Sequence, residues 1–216
     1  MVRKLENRIT DVAVRKAHAE VVEMHEKLAR PPVLQGSTYK IKTPLSEHSL
    51  YVTVNDIILN PGTEHELQRP FEIFINSKNM DHFQWIVALT RIMSAVFRKG
   101  GDVTFLVEEL HSVFDPKGGY LKRGGRFVPS LVAEIGDVLE QHLKRIGILA
   151  EVELDAAAKV HLEEKRAQAA SAGESDTHGE SGFPDTAGIC RKCSTKALVY
   201  LDGCETCLAC GYSRCG

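Results

Sequence analysis

The chain has 216 residues, of which 43% are hydrophobic and 26% are charged, and its net charge is -2. This length allows one sizeable core and a small appendage, so we expect one or two domains. A near-neutral charge argues against a general nucleic-acid binder, which needs a large basic surface. The sequence has no apolar run near the roughly 20 residues that span a bilayer and no apolar signal core, so a cytoplasmic location is expected.

The first elements in chain order are a helix and three strands. Apolar residues recur at helical spacing over residues 2–30, and Pro31-Pro32 ends the pattern. This segment therefore predicts a charged first helix. Apolar and polar residues then alternate, as in the half-buried strands of an antiparallel sheet. The alternating segments are 38–43, 49–59 and 70–75.

The period then changes to that of helices. A helix is predicted from Asp81 to Gly100-Gly101, and because it is apolar most of the way round we expect it to be the central buried one. Asp102 is a candidate cap for the next helix, and residues 129–149 predict a further one. Residues 1–149 therefore predict a two-layer α+β domain in which helices cover an antiparallel sheet.

This cysteine-free domain shows no catalytic arrangement in its sequence. Five of its histidines are scattered one to each element, without the spacing of a metal or catalytic pair: His48, His65, His82, His111 and His142. The basic, glycine-rich loop 117–126 lacks a phosphate-binding pattern, so we interpret it as a hairpin tip or a contact with a partner.

The composition changes after residue 149. Residues 151–170 are helix-prone with a thin apolar stripe, and residues 171–187 are mostly small and polar. We therefore assign 150–187 as a helix-prone segment followed by a flexible linker, and 188–216 as a separate C-terminal module.

All six cysteines lie in that module, and the first 189 residues have none. A secreted disulfide framework would staple the whole domain, so a metal-binding or redox role is favoured. Two CxxC knuckles joined by a short hairpin are the signature of a zinc ribbon, in which four thiolates surround Zn²⁺. The six cysteines are Cys190, Cys193, Cys204, Cys207, Cys210 and Cys215.

The spacing leaves a choice of ligands. Cys190 and Cys193 form the first knuckle, while Cys207/Cys210 and Cys204/Cys207 both have the spacing of the second. We prefer Cys207 and Cys210, because the following Gly211 can adopt the positive φ that knuckles often need. Cys204 and Cys215 then remain either as incidental free thiols or as an exposed dithiol that exchanges disulfides.

Two stretches of sequence resemble one enzyme family. RPFEIFINSKNMDHFQWIVALTRIMSAVFRKGGDVTFLVEELHSVFDPKGG, followed by VPSLVAEIGDVLEQHL, is similar to the region behind the catalytic barrel of adenosylcobalamin-dependent (class II) ribonucleotide reductases. The ending, with CxxC, CxxCxxCG and a penultimate cysteine, resembles the cysteine-rich tail of the same enzymes.

The resemblance implies a subunit of a split enzyme. The chain is far too short for the family's barrel and has none of its radical or active-site cysteines, so a larger catalytic chain is the implied partner and binds most of the nucleotide and adenosylcobalamin. The implied role is to pass electrons from thioredoxin to the active-site disulfide of that chain, for deoxyribonucleotide and DNA synthesis. On this interpretation Cys204 and Cys215 are the redox pair, Zn²⁺ is held by the other four cysteines, and this chain is not catalytic alone.

Two other functions compete with this one. The first is a non-enzymatic zinc-ribbon adaptor or regulator that binds nucleic acid or a protein, for which Arg191, Lys192, Lys196 and Arg214 supply some positive charge. The second is a ligand-binding domain over 1–149 with its own activity, which we rank last because no catalytic constellation is visible.

Overall fold

A computed structural model describes residues 21–44, 46–78, 83–150, 155–171 and 182–215 of the chain. Most of the predicted first helix, the predicted helix start at Asp81 and the centre of the predicted linker lie outside these ranges. None of the helices in the described ranges combines the length and apolar character that a bilayer span requires.

The sheet of the first domain has three antiparallel strands in the order β1 (Gln35–Ile41), β2 (Leu50–Leu59) and β3 (Leu67–Ser77). Alternate side chains of these strands point to one face, where they are buried. On that face Val52 lies opposite Ile75, and Val54 opposite Ile73.

Within the described residues the first domain also contains three helices: α1 (Phe83–Lys99), α2 (Phe105–His111) and α3 (Leu131–Arg145). Their apolar residues form one core with the buried face of the sheet. Ser130 begins α3 as its N-cap, since its side chain accepts a hydrogen bond from the N–H of Ala133. The predicted α+β class is confirmed.

The prediction that α1 is the central buried helix is wrong. Trp85 is 70% exposed and Ile92 is 63% exposed, so one apolar face of α1 points outward. The helix packs on β3 through another face, where the buried Ser94 hydroxyl accepts a hydrogen bond from the N–H of Ile73 at 3.0 Å. A polar residue can be buried when it has a hydrogen-bond partner. The positions of apolar residues alone therefore do not identify the buried face of α1.

The described end of the predicted first helix, residues 21–30, is not helical. Its backbone is held by the turn after β2, because Val22 and the Asn60 side chain exchange two hydrogen bonds of 2.8 and 3.0 Å. Met24 and Leu28 pack against a small apolar cluster of β2 and β3. These tertiary contacts replace the helical hydrogen bonds expected from periodicity.

A buried polar pair links α3 to the sheet. His142 and Asp56 are each at most 1% exposed, and His142 Nε2 lies 2.8 Å from Asp56 Oδ1. The Tyr39 hydroxyl lies 3.0 Å from His142 Nδ1, and the Arg145 guanidinium 3.3 Å from the same atom. Two donors at Nδ1 indicate that Nδ1 accepts and that Nε2–H donates to Asp56.

The glycine-rich loop forms a short hairpin of β4 (Tyr120–Leu121) and β5 (Phe127–Val128). The chain continues into α4 (Ala156–Ser171) and then into a four-stranded antiparallel sheet. The strands of that sheet are β6 (Gly188–Ile189), β7 (Lys196–Leu201), β8 (Cys204–Cys207) and β9 (Ser213–Cys215).

Helix α4 packs against this cysteine-rich sheet. Ala169 belongs to the same apolar cluster as Ala187 and Ala197. Lys165 Nζ lies 2.7 Å from Asp202 Oδ2, and Arg166 Nε donates to the carbonyl of Leu208 at 2.7 Å. The packed C-terminal unit thus includes α4 as well as the strands, while the predicted division of the chain at residues 150 and 188 stays a prediction.

Backbone hydrogen bonds join the cysteine-rich unit to the hairpin of the first domain. The N–H of Phe127 donates to the carbonyl of Ser194 at 2.6 Å, and the N–H of Lys196 donates to the carbonyl of Gly125 at 2.7 Å. Arg126 and Thr195 form an antiparallel bridge between these bonds. The basic hairpin therefore contacts another part of the same chain.

Candidate metal centre and neighbouring cysteine pair

Four cysteine side chains converge at one end of the C-terminal sheet. Cys190 and Cys193 come from the turn between β6 and β7, and Cys207 and Cys210 from the end of β8 and the turn that follows it. Their sulfur atoms all lie within 4.8 Å of one another. The Cys190–Cys210 and Cys193–Cys207 sulfur distances are 3.8 and 3.7 Å.

These distances fit a tetrahedral metal site. Zn²⁺ binds thiolates at about 2.3 Å, and a tetrahedron of that radius has edges of about 3.8 Å. Four thiolates are also the soft donor set that zinc sites of the structural type use. The cluster can therefore hold a metal such as zinc.

The two knuckles are built in the same way. The carbonyl of Cys190 accepts a hydrogen bond from the N–H of Ser194 at 2.9 Å, and the carbonyl of Cys207 accepts one from the N–H of Gly211 at 3.0 Å. Ser194 has φ 56° and Gly211 has φ 74°. Each loop thus closes on a residue in the left-handed region, which is the conformation that the sequence analysis expects of Gly211.

The thiols differ in how readily they ionise. Burial raises the pKa of Cys207 and of Cys210 above the ordinary value. At Cys193 burial opposes ionisation as well, but hydrogen bonds from Thr195 and the neighbouring thiols outweigh it and lower the pKa to about 7. Because a metal binds thiolates, metal binding must displace protons from Cys207 and Cys210.

Cys204 and Cys215 form a disulfide beside this cluster. They lie directly opposite each other on β8 and β9, with their Cα atoms 4.2 Å apart. Cys215 is exposed, whereas Cys204 is half-buried in the sheet. The structure thus divides the six cysteines into four converging thiols and one bonded pair, the same division that the sequence predicts. Their metal and redox roles stay predictions.

A second cluster contains a histidine and two carboxylates. Side-chain atoms of His111, Asp137 and Glu140 lie within 4.8 Å of one another. Arg126 contacts Asp137 at 2.5 Å and Lys144 contacts Glu140 at 2.6 Å, so both carboxylates already have a cationic partner. We regard this cluster as an ion-pair network that holds the hairpin on α3.

The contribution of α4 to the cysteine-rich unit was not predicted from the sequence. Leu162 and Ala169 are seven residues apart and therefore share one face of a helix, and both are buried. That spacing was the available signal. It is weak because alanine and a single leucine make only a narrow apolar stripe.

Comparison with known proteins gives one match. Neither the curated proteins nor the solved structures contain a significant match to the chain. The sequence profile of the TSCPD domain matches residues 19–143, which is more than half of the chain and includes the sheet, α1, α2 and nearly all of α3. This domain is found in class II ribonucleotide reductases and related proteins. The chain therefore belongs to the TSCPD domain family.

Proposed function

We propose that this chain is the separately encoded C-terminal part of a class II ribonucleotide reductase and works with a larger catalytic chain. The observation that carries the proposal is the Cys204–Cys215 disulfide, which lies beside four converging cysteines in a chain with a TSCPD domain. In this complex the catalytic chain binds the nucleotide and most of the adenosylcobalamin. This chain supplies the reducing equivalents, in the cytoplasm.

The relay is a pair of thiol–disulfide exchanges. In the reduced form a thiolate of Cys204 or Cys215 attacks the disulfide that each turnover leaves in the catalytic chain, which forms a mixed disulfide. The second thiol, once deprotonated, attacks the mixed disulfide and releases the catalytic dithiol. Two electrons have then left this chain, and its Cys204–Cys215 disulfide is reduced again by thioredoxin.

The four-cysteine cluster has a structural role in this proposal. Zn²⁺ held by Cys190, Cys193, Cys207 and Cys210 fixes both knuckles and the end of β8, the strand that also carries Cys204. A metal of this kind stabilises a module whose own apolar core is small.

The decisive experiment is reconstitution of turnover. The chain is mixed with the candidate catalytic chain, adenosylcobalamin, a ribonucleotide and thioredoxin, and product is counted per complex. We expect many turnovers with the native chain, at most one round with Cys204→Ser or Cys215→Ser, and about one zinc per chain in both variants.

The matched control is Arg214→Gln, which changes an exposed side chain of the same strand as Cys215 and should leave turnover intact. Turnover that does not need this chain would refute the proposal. Loss of zinc in Cys204→Ser or Cys215→Ser would refute the division of the six cysteines.

A further inference from the structure

A pocket of about 300 Å³ lies between α4 and the disulfide. One wall is formed by α4, with Ala158, His161 and Leu162, and the opposite wall by the sheet, with Leu201 and both disulfide cysteines. The volume lies at the lower end of the range for ligand pockets, so the pocket can take a side chain and its flanking backbone but not a folded element.

The wall formed by α4 is held in place at several points. The Lys165–Asp202 ion pair fixes the helix to the turn before Cys204, and the Arg166–Leu208 hydrogen bond fixes it to the knuckle after Cys207. Leu162, about one helical turn before these anchors, is only 6% exposed. The pocket is therefore a built feature of the cysteine-rich unit.

We propose that this pocket binds the chain segment that flanks the attacking cysteine of a dithiol protein, and that the attack falls on Cys215. This inference rests on the proposed electron relay. The disulfide in the pocket wall indicates the occupant, because one protein usually reduces the disulfide of another by thiol–disulfide exchange from a dithiol. The partner at this pocket is thus the reductant and not the oxidised catalytic chain.

The exposure of the two sulfurs sets the order of bond changes. The partner's thiolate attacks Sγ of the exposed Cys215, the bond to Cys204 breaks, and Cys204 leaves as a thiolate that takes up a proton. The partner's second thiol loses its proton and attacks the partner's own sulfur in the mixed disulfide. Cys215 then leaves and is protonated, so two electrons and two protons have moved to this chain.

The lining explains why a protein dithiol is favoured over a small thiol. Ala158, Leu162 and Leu201 give the pocket an apolar surface, which buries an apolar side chain next to the partner's cysteine. The Lys165 ammonium at the edge is neutralised by Asp202, so the pocket does not require a charged ligand. A small thiol uses none of this surface.

The test fills the pocket without changing a cysteine. Ala158→Trp places a large side chain in the pocket, and the matched control Ala157→Trp adds the same side chain at an exposed neighbouring position of α4 that does not line it. Reduction of the Cys204–Cys215 disulfide is followed in the full chain with thioredoxin and, separately, with dithiothreitol.

We expect Ala158→Trp to slow reduction by thioredoxin about tenfold, the loss expected when a typical energetically important contact is blocked, and to leave reduction by dithiothreitol unchanged. Ala157→Trp should change neither rate, and the smaller Ala158→Leu should give an intermediate effect. An equal effect of both tryptophan variants, or an equal slowing with both reductants, would overturn the proposal.

The order of attack is tested by trapping. Thioredoxin that lacks its second cysteine should remain linked to Cys215, as mapped by mass spectrometry, and linkage to Cys204 would overturn the order. The relay itself is judged separately by turnover. If Cys204→Ser abolishes turnover while Ala158→Trp matches its control, the pocket inference fails and the relay stands, whereas normal turnover of Cys204→Ser refutes the relay.

Discussion

The two halves of this chain reach a stable structure by different means. The TSCPD domain has a continuous apolar core between its sheet and three helices, and a buried Asp56–His142 pair crosses that core. The cysteine-rich unit has a small apolar cluster in which cysteines are themselves members. The first half depends on side-chain burial, whereas we propose that the second depends on a metal held by its cysteines.

Metal removal should separate the two halves most clearly. We expect a chelator to unfold the cysteine-rich sheet, because structural zinc contributes about 10–16 kcal/mol to the folding of small zinc modules. The TSCPD domain should stay folded, since none of its core residues is a metal ligand. Amide hydrogen exchange measured before and after chelation would show both results.

Chelation at lower pH should need less chelator, because protons compete with the metal for the four thiolates. Protection of the β7 and β8 amides that survives complete metal removal would contradict the proposed difference between the halves.

Loss of the buried pair should affect only the first half. His142→Phe removes one of two hydrogen-bond donors of the buried Asp56 carboxylate, the other being Gln68 Nε2 at 2.9 Å. We therefore expect a loss of about 1.5–3 kcal/mol from the free energy of unfolding of the TSCPD domain. Urea denaturation gives this value, and zinc content reports on the other half.

The control for that variant is His65→Phe. The His65 side chain is 54% exposed, and a surface change of this kind should shift stability by about 0.5 kcal/mol or less. Equal losses in the two variants would mean that the buried pair has no special role.

The contact between the halves should be weak. Phe127→Pro removes the N–H that donates to Ser194, so we expect a loss of about 1 kcal/mol in docking and faster hydrogen exchange at Lys196. Phe127→Ala keeps that donor and serves as the control. Unchanged exchange at Lys196 in the proline variant would show that the halves do not rely on this bond.

The smallest expected effect is an acid sensitivity of the first half. The hydrogen bond from Arg30 lowers the pKa of Glu72, against the opposing effect of burial, and a further bond from Asn55 adds to it. The stability from this carboxylate is present above its ordinary pKa of 4.5 and is lost as pH falls through the lowered folded-state value.

Glu72→Gln should therefore reduce stability near neutral pH by about 1 kcal/mol or less, because Arg30 is half exposed, and the difference from the native chain should shrink below about pH 4. Glu64→Gln, at a side chain that is 87% exposed, should show no such pH dependence. Urea midpoints at the two pH values test both variants.

Local sequence patterns predict much of this molecule. Alternation places β2 within one residue of its observed start, and the CxxC spacing with Gly211 selects the four cysteines whose sulfurs converge. Both signals work because they arise from neighbouring residues, whose geometry is fixed by the backbone.

Long-range pairing is what the sequence does not reveal. Asp56 and His142 are 86 positions apart, and neither residue lies in a recognisable motif. The outward face of α1 was not predicted, because the opposite face is buried through the polar Ser94, whose partner lies on β3. The docking of the hairpin was not predicted either, because it depends on backbone hydrogen bonds that any residue can make. Such contacts are properties of the assembled fold.

Strand β8 carries Cys204 and Cys207 three residues apart, so their side chains leave the strand on opposite sides. Six free thiols can pair in many wrong combinations while a chain is folding. If four of them bind a metal, Cys204 and Cys215 can form a disulfide only with each other. A bound metal would thus keep the other four cysteines out of wrong disulfides. A chain that cycles repeatedly between dithiol and disulfide would then re-form the Cys204–Cys215 bond without help from a disulfide isomerase.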